Sequence, residues 1–200
     1  MGERKMSLFA GSSFPVIETK RIKLRKLNNN DVDALLKIWS DDRVTKYLNI
    51  TTFSNESAFT SEDQVKEMIE WMNQLADKDD AIRLGLELKE TGELIGTCGF
   101  NEWSKSNARA SIGYELSAKH WRKGFMSEVI EVLLHFGFHQ MGLNRIEATV
   151  EPDNIPSIQL LKKFGFLNEG LLRGYEYSKG RFIDLYMFAI LKNNYLKNNT

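Results

Sequence analysis

The sequence predicts an α+β domain built on a mixed, mostly antiparallel sheet, with one parallel strand pair near its middle and helices flanking it. Two patterns carry that expectation. Between residues 82 and 116, three alternating apolar runs are joined by the short polar turns "ETG" and "SKSN", which is how an antiparallel meander reads. From Arg109 to Glu151 a strand-like run, a helix-like run and a second strand-like run succeed one another. A helix of about 15 residues between two strands makes a βαβ unit, so those two strands should be parallel.

Taken in order, "RIKLR" at 21–25 alternates as a strand does. Val32, Leu35, Leu36 and Trp39 then repeat at helical spacing after an Asn/Asp cluster at 28–31 suited to start a helix. A polar stretch, 41–60, leads to Ser61-x-x-Gln64, a capping box ahead of Val65, Met68, Ile69 and Met72 on one helical face. Trp71 is grouped with Met68 and Met72 as core. The meander follows, with strands over 82–88, 93–103 and Arg109–Leu116. The loop "WRKGFMS", Trp121–Ser127, opens a helix reaching about Met141, and "NRIEATVE" at 144–151 is the second parallel strand. A shorter helix, Asn154–Phe164, stops at Gly165, and two last strands, "FLNEGLLRGYEY" and "RFIDLYMFAIL", turn at "SKG".

Composition bounds the function. Of 200 residues 42% are hydrophobic, enough for a core, and Lys+Arg and Asp+Glu both number 27. That balance argues against a direct nucleic-acid binder, which needs a basic excess, though not against a local cationic pocket. No apolar run of about 18 residues is present, so no membrane span is expected. The N-terminus lacks the apolar segment of a signal peptide, and the single cysteine, Cys98, suits a reducing compartment; a cytoplasmic protein is expected.

Two polar helix starts carry the chemistry. Trp121–Ser127 combines two cations, one glycine and a serine at a helix N-terminus, where unpaired N–H groups and the positive dipole end favour an anion. Gly124 admits a bulky group to the backbone, Ser127 adds a hydroxyl, and Arg122 and Lys123 add charge. The loop lacks both the G-K-[ST] ending of a Walker A motif and the glycines of a dinucleotide fingerprint. An ordinary strand-to-helix turn is the plain alternative. At the second helix start, Asn154 and Ser157 are three residues apart and share a face, although capping alone would explain Asn154. Both starts follow the two parallel strands and so open into one crevice at their carboxyl ends. His135 and His139, four apart, lack a third ligand and read as a solvated or packed face, so no metal is expected. Cys98, without an adjacent base, reads as a buried thiol.

The stretches "IGYELSAKHWRKGFMSEVI" and "NRIEATVEPDNIPSIQLLKKFGFLNEGLLRGYEYSKGRFIDLYMF", in this order of elements, resemble the GNAT superfamily of acetyl-CoA-dependent N-acetyltransferases, and within it the RimJ/RimL-like ribosomal-protein N-terminal acetyltransferases. The resemblance spans Thr19–Leu191, leaving an N-terminal extension, 1–18, and a polar C-terminal tail, 192–200. It implies a GNAT fold whose central parallel pair is splayed, with acetyl-CoA as cosubstrate and no metal. It further implies that residues Trp121, Arg122, Lys123, Gly124, Phe125, Met126 and Ser127 hold the coenzyme A pyrophosphate. The strand Tyr114–Leu116 would pair with the pantetheine arm, Asn154 would bind pantetheine or order a water, and Ser157 would stand near the sulfur and assist the leaving thiolate. A glutamate often precedes I-G-Y in this branch, and Ser111 stands there, so Glu115 or Glu147 is the candidate base. The expected acceptor is a protein N-terminal α-amine; a small amine (polyamine, amino acid or drug) and a non-catalytic acyl-CoA-binding module are the other readings. The stretch 41–60 and the "SKG" turn are expected to shape the acceptor groove, and room is left for a homodimer.

Overall fold

The structure, a computed structural model, describes residues 14–48 and 59–198. Eight strands form one sheet in the order β1-β2-β3-β4-β5-β6-β8-β7. They are β1 Ile17–Glu18, β2 Ile22–Lys26, β3 Ile82–Leu88, β4 Leu94–Ser104, β5 Arg109–Leu116, β6 Arg145–Val150, β7 Leu167–Ser178 and β8 Arg181–Leu191. Every neighbouring pair is antiparallel except β5 and β6, as the strand–helix–strand reading requires.

Helices lie on both faces. On one face, α1 (Val32–Trp39) and α3 (Glu62–Asp77) bury Leu35, Ile38, Val65, Met68 and Ile69 together with Leu27 and Leu94 of the sheet side. On the other, α4 (Phe125–His139) and α5 (Ile155–Lys163) bury Val129, Ile130, Leu133 and Leu161 against Phe100, Ala110, Ile112, Ile146 and Phe188. Strand periodicity sorts β5 between these layers. Ala110 and Ile112 face α4, whereas Glu115 reaches Trp39 of α1. Among the described residues no helix is long and apolar enough to cross a membrane.

Local signals held where they were strongest. Ser61 caps α3 and Gln64 closes the reciprocal bond, and Asn28 and Asp31 form a second capping box before α1. Four details were not read from the sequence. Trp71 is 40% exposed on the outer side of α3, because at about 100° per residue it falls outside the stripe of Val65, Met68, Ile69 and Ala76. The polar stretch after residue 40 contains the short helix α2 (Asp42–Thr45), capped by Asp41. The segment read as a polar tail forms α6 (Lys192–Asn198), held by the Tyr195 ring on Phe138 with centroids 4.9 Å apart. At the other end, β1 pairs with β2 within the segment read as an extension, whose residues 1–13 lie outside the described ones.

Candidate active site

The sheet opens at its centre. β5 and β6 pair only at Arg109↔Arg145, Ala110↔Ile146 and Ser111↔Glu147, while β5 continues beside β4 as far as Gly96↔Leu116 and β6 beside β8 as far as Val150↔Tyr186. Beyond Ser111 the two parallel strands no longer pair, and among the described residues the β6-facing edge of Ile112–Leu116 has no strand partner. Such an edge presents backbone donors and acceptors to an extended ligand. The Leu116 carbonyl accepts a 2.7 Å bond from Trp121 Nε1, which ties the following loop to the end of the open edge.

That loop has the backbone and charge of an anion cradle. Arg122 and Gly124 both hold left-handed backbone, at φ 60° and 80°, the kind of turn that can gather successive amides at a helix start. Gly124 is the N-cap and supplies no side-chain bond, and among the described residues no acceptor takes the N–H groups of residues 122–127. The Ser127 hydroxyl accepts a 3.1 Å bond from Lys163 Nζ at the end of α5, placing a third cation beside Arg122 and Lys123, which are exposed. Phe125 and Leu116 are buried, so their side chains belong to the core.

Arg21 holds the cradle from behind. Its Nη2 donates to the Lys123 carbonyl at 2.9 Å, its Nε pairs with Glu128 at 2.6 Å, and its guanidinium lies 4.1 Å over the Phe125 ring. Burial works against the charge on Glu128, but the Thr19 hydroxyl and Arg21 outweigh it and hold the carboxyl below its ordinary range. No local motif marks this clamp, because Arg21 and Glu128 are 107 residues apart in sequence. His120, one residue before the loop, is 9% exposed; its Nε2 is 3.5 Å from Glu93, and its Nδ1 has no partner among the described residues.

The second polar helix start lies across the opening. Asn154 Oδ1 accepts from the Ser157 N–H at 3.3 Å, so its side chain caps α5, and Pro156 follows in the first turn where its missing N–H costs nothing. The Ser157 hydroxyl is 2.7 Å from the Tyr114 phenol of β5. Burial pushes the Tyr114 phenol up to about 12, with the serine bond partly opposing it. The structure thus joins two residues assigned separately in the sequence.

The two candidate bases are both committed to cations. Glu115 is buried and accepts from Arg83, from the Thr97 hydroxyl, and from Trp39 Nε1 at 3.2 Å; Thr97 in turn accepts from Arg83 Nε at 2.6 Å. Glu147, also buried, pairs with Arg109 at 2.9 Å and Arg145 at 2.5 Å, and Arg145 extends the chain to Glu169. Ser111 donates to the Asn101 carbonyl at 3.3 Å. Gly113, between them, leaves the space a Cβ would need to Arg83 Nη1 and Asn101 Nδ2, 2.9 and 3.0 Å away. This face of the opening is polar and already neutralised.

Of the segments expected to border an acceptor, the "SKG" turn reaches α2: Lys179 Nζ donates to the carbonyls of Thr45 and Lys46 at 2.7 and 2.9 Å, capping that helix end. Tyr47 binds the Asp153 carbonyl at 3.0 Å, and residues 49–58 lie outside the described ones. His135 and His139 stack at 4.3 Å, and among the described residues no group of three His, Cys, Asp or Glu could hold a metal. Cys98 is fully buried and burial pushes its thiol up, which suits a packing role.

A family model described as an acetyltransferase (GNAT) domain matches residues 21–167, most of the chain and the whole of the opening. The chain belongs to the GNAT acetyltransferase family. An uncharacterised N-acetyltransferase of Bacillus licheniformis is 50% identical over 177 residues, covering 88% of this chain and 96% of that protein. A putative ribosomal N-acetyltransferase of Bacillus subtilis, YdaF, is 29% identical over 88% of this chain and 94% of its own. Among solved structures, RimJ of Mycobacterium smegmatis in complex with CoA-disulfide is 25% identical, with a TM-score of 0.76, covering 86% of this chain and 82% of that one. As a GNAT enzyme the protein is an acetyl-CoA-dependent acetyltransferase. Its residues fit such a cosubstrate on two counts: free amides with three cations for phosphate, and an open strand edge for an amide-bearing arm.

Proposed function

We propose that this GNAT enzyme transfers acetyl from acetyl-CoA to the N-terminal α-amine of a protein, in a ternary complex. The observation that carries the reading is the polar face of the opening, where Glu115 and Glu147 are each held by arginine. Carboxylate oxygens already taken up by guanidinium, hydroxyl and indole donors leave little room to approach an incoming amine, so the site favours an amine that arrives neutral. An α-amine with pKa about 7.7–8.0 is roughly 10–15% neutral at pH about 7, whereas a lysine near 10.4 is neutral at below about 0.1%. The resemblance to a putative ribosomal N-acetyltransferase and to RimJ supports the same acceptor class.

In this reading the amides of residues 122–127, with Ser127, Arg122, Lys123 and Lys163, hold the pyrophosphate. The open edge at Tyr114–Leu116 takes the pantetheine arm, and Asn154 fixes the α5 start that presents Ser157 to the sulfur. The nitrogen attacks the thioester carbonyl, its lost proton leaves with solvent, and a strand amide is available to the developing oxyanion. Two peptides test the acceptor: one with a free N-terminus and no lysine, the other N-terminally blocked with one lysine. Faster acetylation of the free N-terminus is expected. Faster transfer to the blocked peptide, or to spermidine over both, overturns the assignment.

A further inference from the structure

We infer that Tyr114 is a positioning residue for acetyl transfer: its phenol donates to Ser157 Oγ and so turns the serine's own hydroxyl proton into the opening between β5 and β6. The inference rests on the acetyl-transfer reading of this same site, and assigns the strand residue a side-chain role there.

The direction of the 2.7 Å bond follows from the chemistry of the two hydroxyls. Either oxygen could donate by distance alone. Tyr114 Oη has no other hydrogen-bond partner among the described residues, and neither has Ser157 Oγ. Tyr114 and Ser157 are both half-buried, so exposure does not choose between them and donor strength does. Were the phenol to donate, the serine proton would be left over, on a half-buried residue at the mouth of a helix start that opens into the crevice. A phenol is the stronger donor of the two and an alkanol the better acceptor. The phenol therefore donates, and Ser157 keeps a directed proton for a ligand.

Burial supports the same polarity. With its phenol pushed up to about 12, Tyr114 stays protonated throughout the range in which an amine can attack. The pair is then a hydrogen-bond donor to sulfur and not a source of protons. The balance closes without it. The C–S bond breaks, its electron pair goes to sulfur, and the proton that ends on the thiol replaces one shed by the nitrogen as it becomes an amide. Ser157 steadies the negative sulfur in the meantime, and Tyr114 strengthens that contact by polarising the hydroxyl.

Two measurements test this. In steady state, Tyr114→Phe should lower kcat about 5–10-fold and leave KM for acetyl-CoA within about twofold, since the lost contact matters when charge reaches sulfur. Ser157→Ala should lower kcat at least as much, and adding Tyr114→Phe to it should cost nothing more. The second measurement needs no acceptor and so separates this inference from the acceptor assignment. The thiolate absorbance of bound coenzyme A, followed against pH, should show the thiol titrating about half a unit higher in either single variant, and no higher in the double variant. A merely structural Tyr114 would lower the melting temperature and raise KM instead. Equal losses from Tyr114→Phe with and without the Ser157 hydroxyl, or an unmoved thiol titration in both single variants, overturn the inference.

Discussion

Replacing Glu115 by glutamine keeps the shape of the side chain and removes its charge, leaving the Arg83 guanidinium with no carboxylate. The Arg83 and Glu115 side chains are 14% and 4% exposed, so neither water nor salt screens the change well. The glutamine carbonyl oxygen can keep Trp39 and Thr97, which share one carboxylate oxygen, but its NH2 then faces the Arg83 guanidinium, donor against donor. Removing one partner of a buried pair costs about 3–5 kcal/mol. For a chain of this size each kcal/mol moves the melting temperature by about 2–4 °C, so Glu115→Gln should melt about 6–20 °C below the parent. Calorimetry at neutral pH reads this directly. Turnover measured well below the new midpoint should change only modestly. Pairing the substitution with Arg83→Met should recover much of the loss, because a neutral pair carries no desolvated charge. The reasoning fails if Glu115→Gln melts like the parent while kcat collapses and the acidic limb of the pH profile disappears. That result would make Glu115 the general base, and its ion pair incidental.

Gly124→Ala should cost about 1–2 kcal/mol, since φ 80° is left-handed backbone and the new Cβ would sit 3.4 Å from Arg21 Nη2. Calorimetry should show weaker acetyl-CoA binding as the cradle shifts, and unchanged affinity would remove the loop from the binding site. An aspartate at 124 would face Arg21 and could pair with it, which makes alanine the cleaner substitution. The Glu128 carboxyl is held low in the folded protein, so its contribution is complete above its ordinary value near 4.5 and is lost as the pH falls through the folded value. Glu128→Gln should therefore flatten the acid limb of a stability-against-pH curve below about pH 4.5, measured by urea unfolding; a parallel curve would refute the clamp.

What the sequence determined by itself was everything encoded within a few residues. Period-2 runs placed β3, β4 and β5, the Ser61–Gln64 box placed the start of α3, and the strand–helix–strand spacing set the parallel pair. That Trp121–Ser127 opens a helix was legible for the same reason: the glycine and the serine act through the backbone beside them. The resemblance supplied the acetyl-CoA chemistry, which no local pattern contains. The tertiary structure decided which of these polar groups are free and which are spent. Glu115 could be a base on strand parity alone; its partners Trp39, Arg83 and Thr97 come from three other elements and occupy it. Tyr114 looked like a backbone contact until the fold set it beside Ser157, 43 residues on. Arg21 looked like the end of a strand, yet it anchors the cradle, and Tyr195 gave a polar segment one apolar ring with which to dock a helix. Caps and periodicity are short-range consequences of backbone geometry, whereas the partner of a buried charge or hydroxyl is chosen by strand order and helix packing, which bring together residues that no sequence window holds.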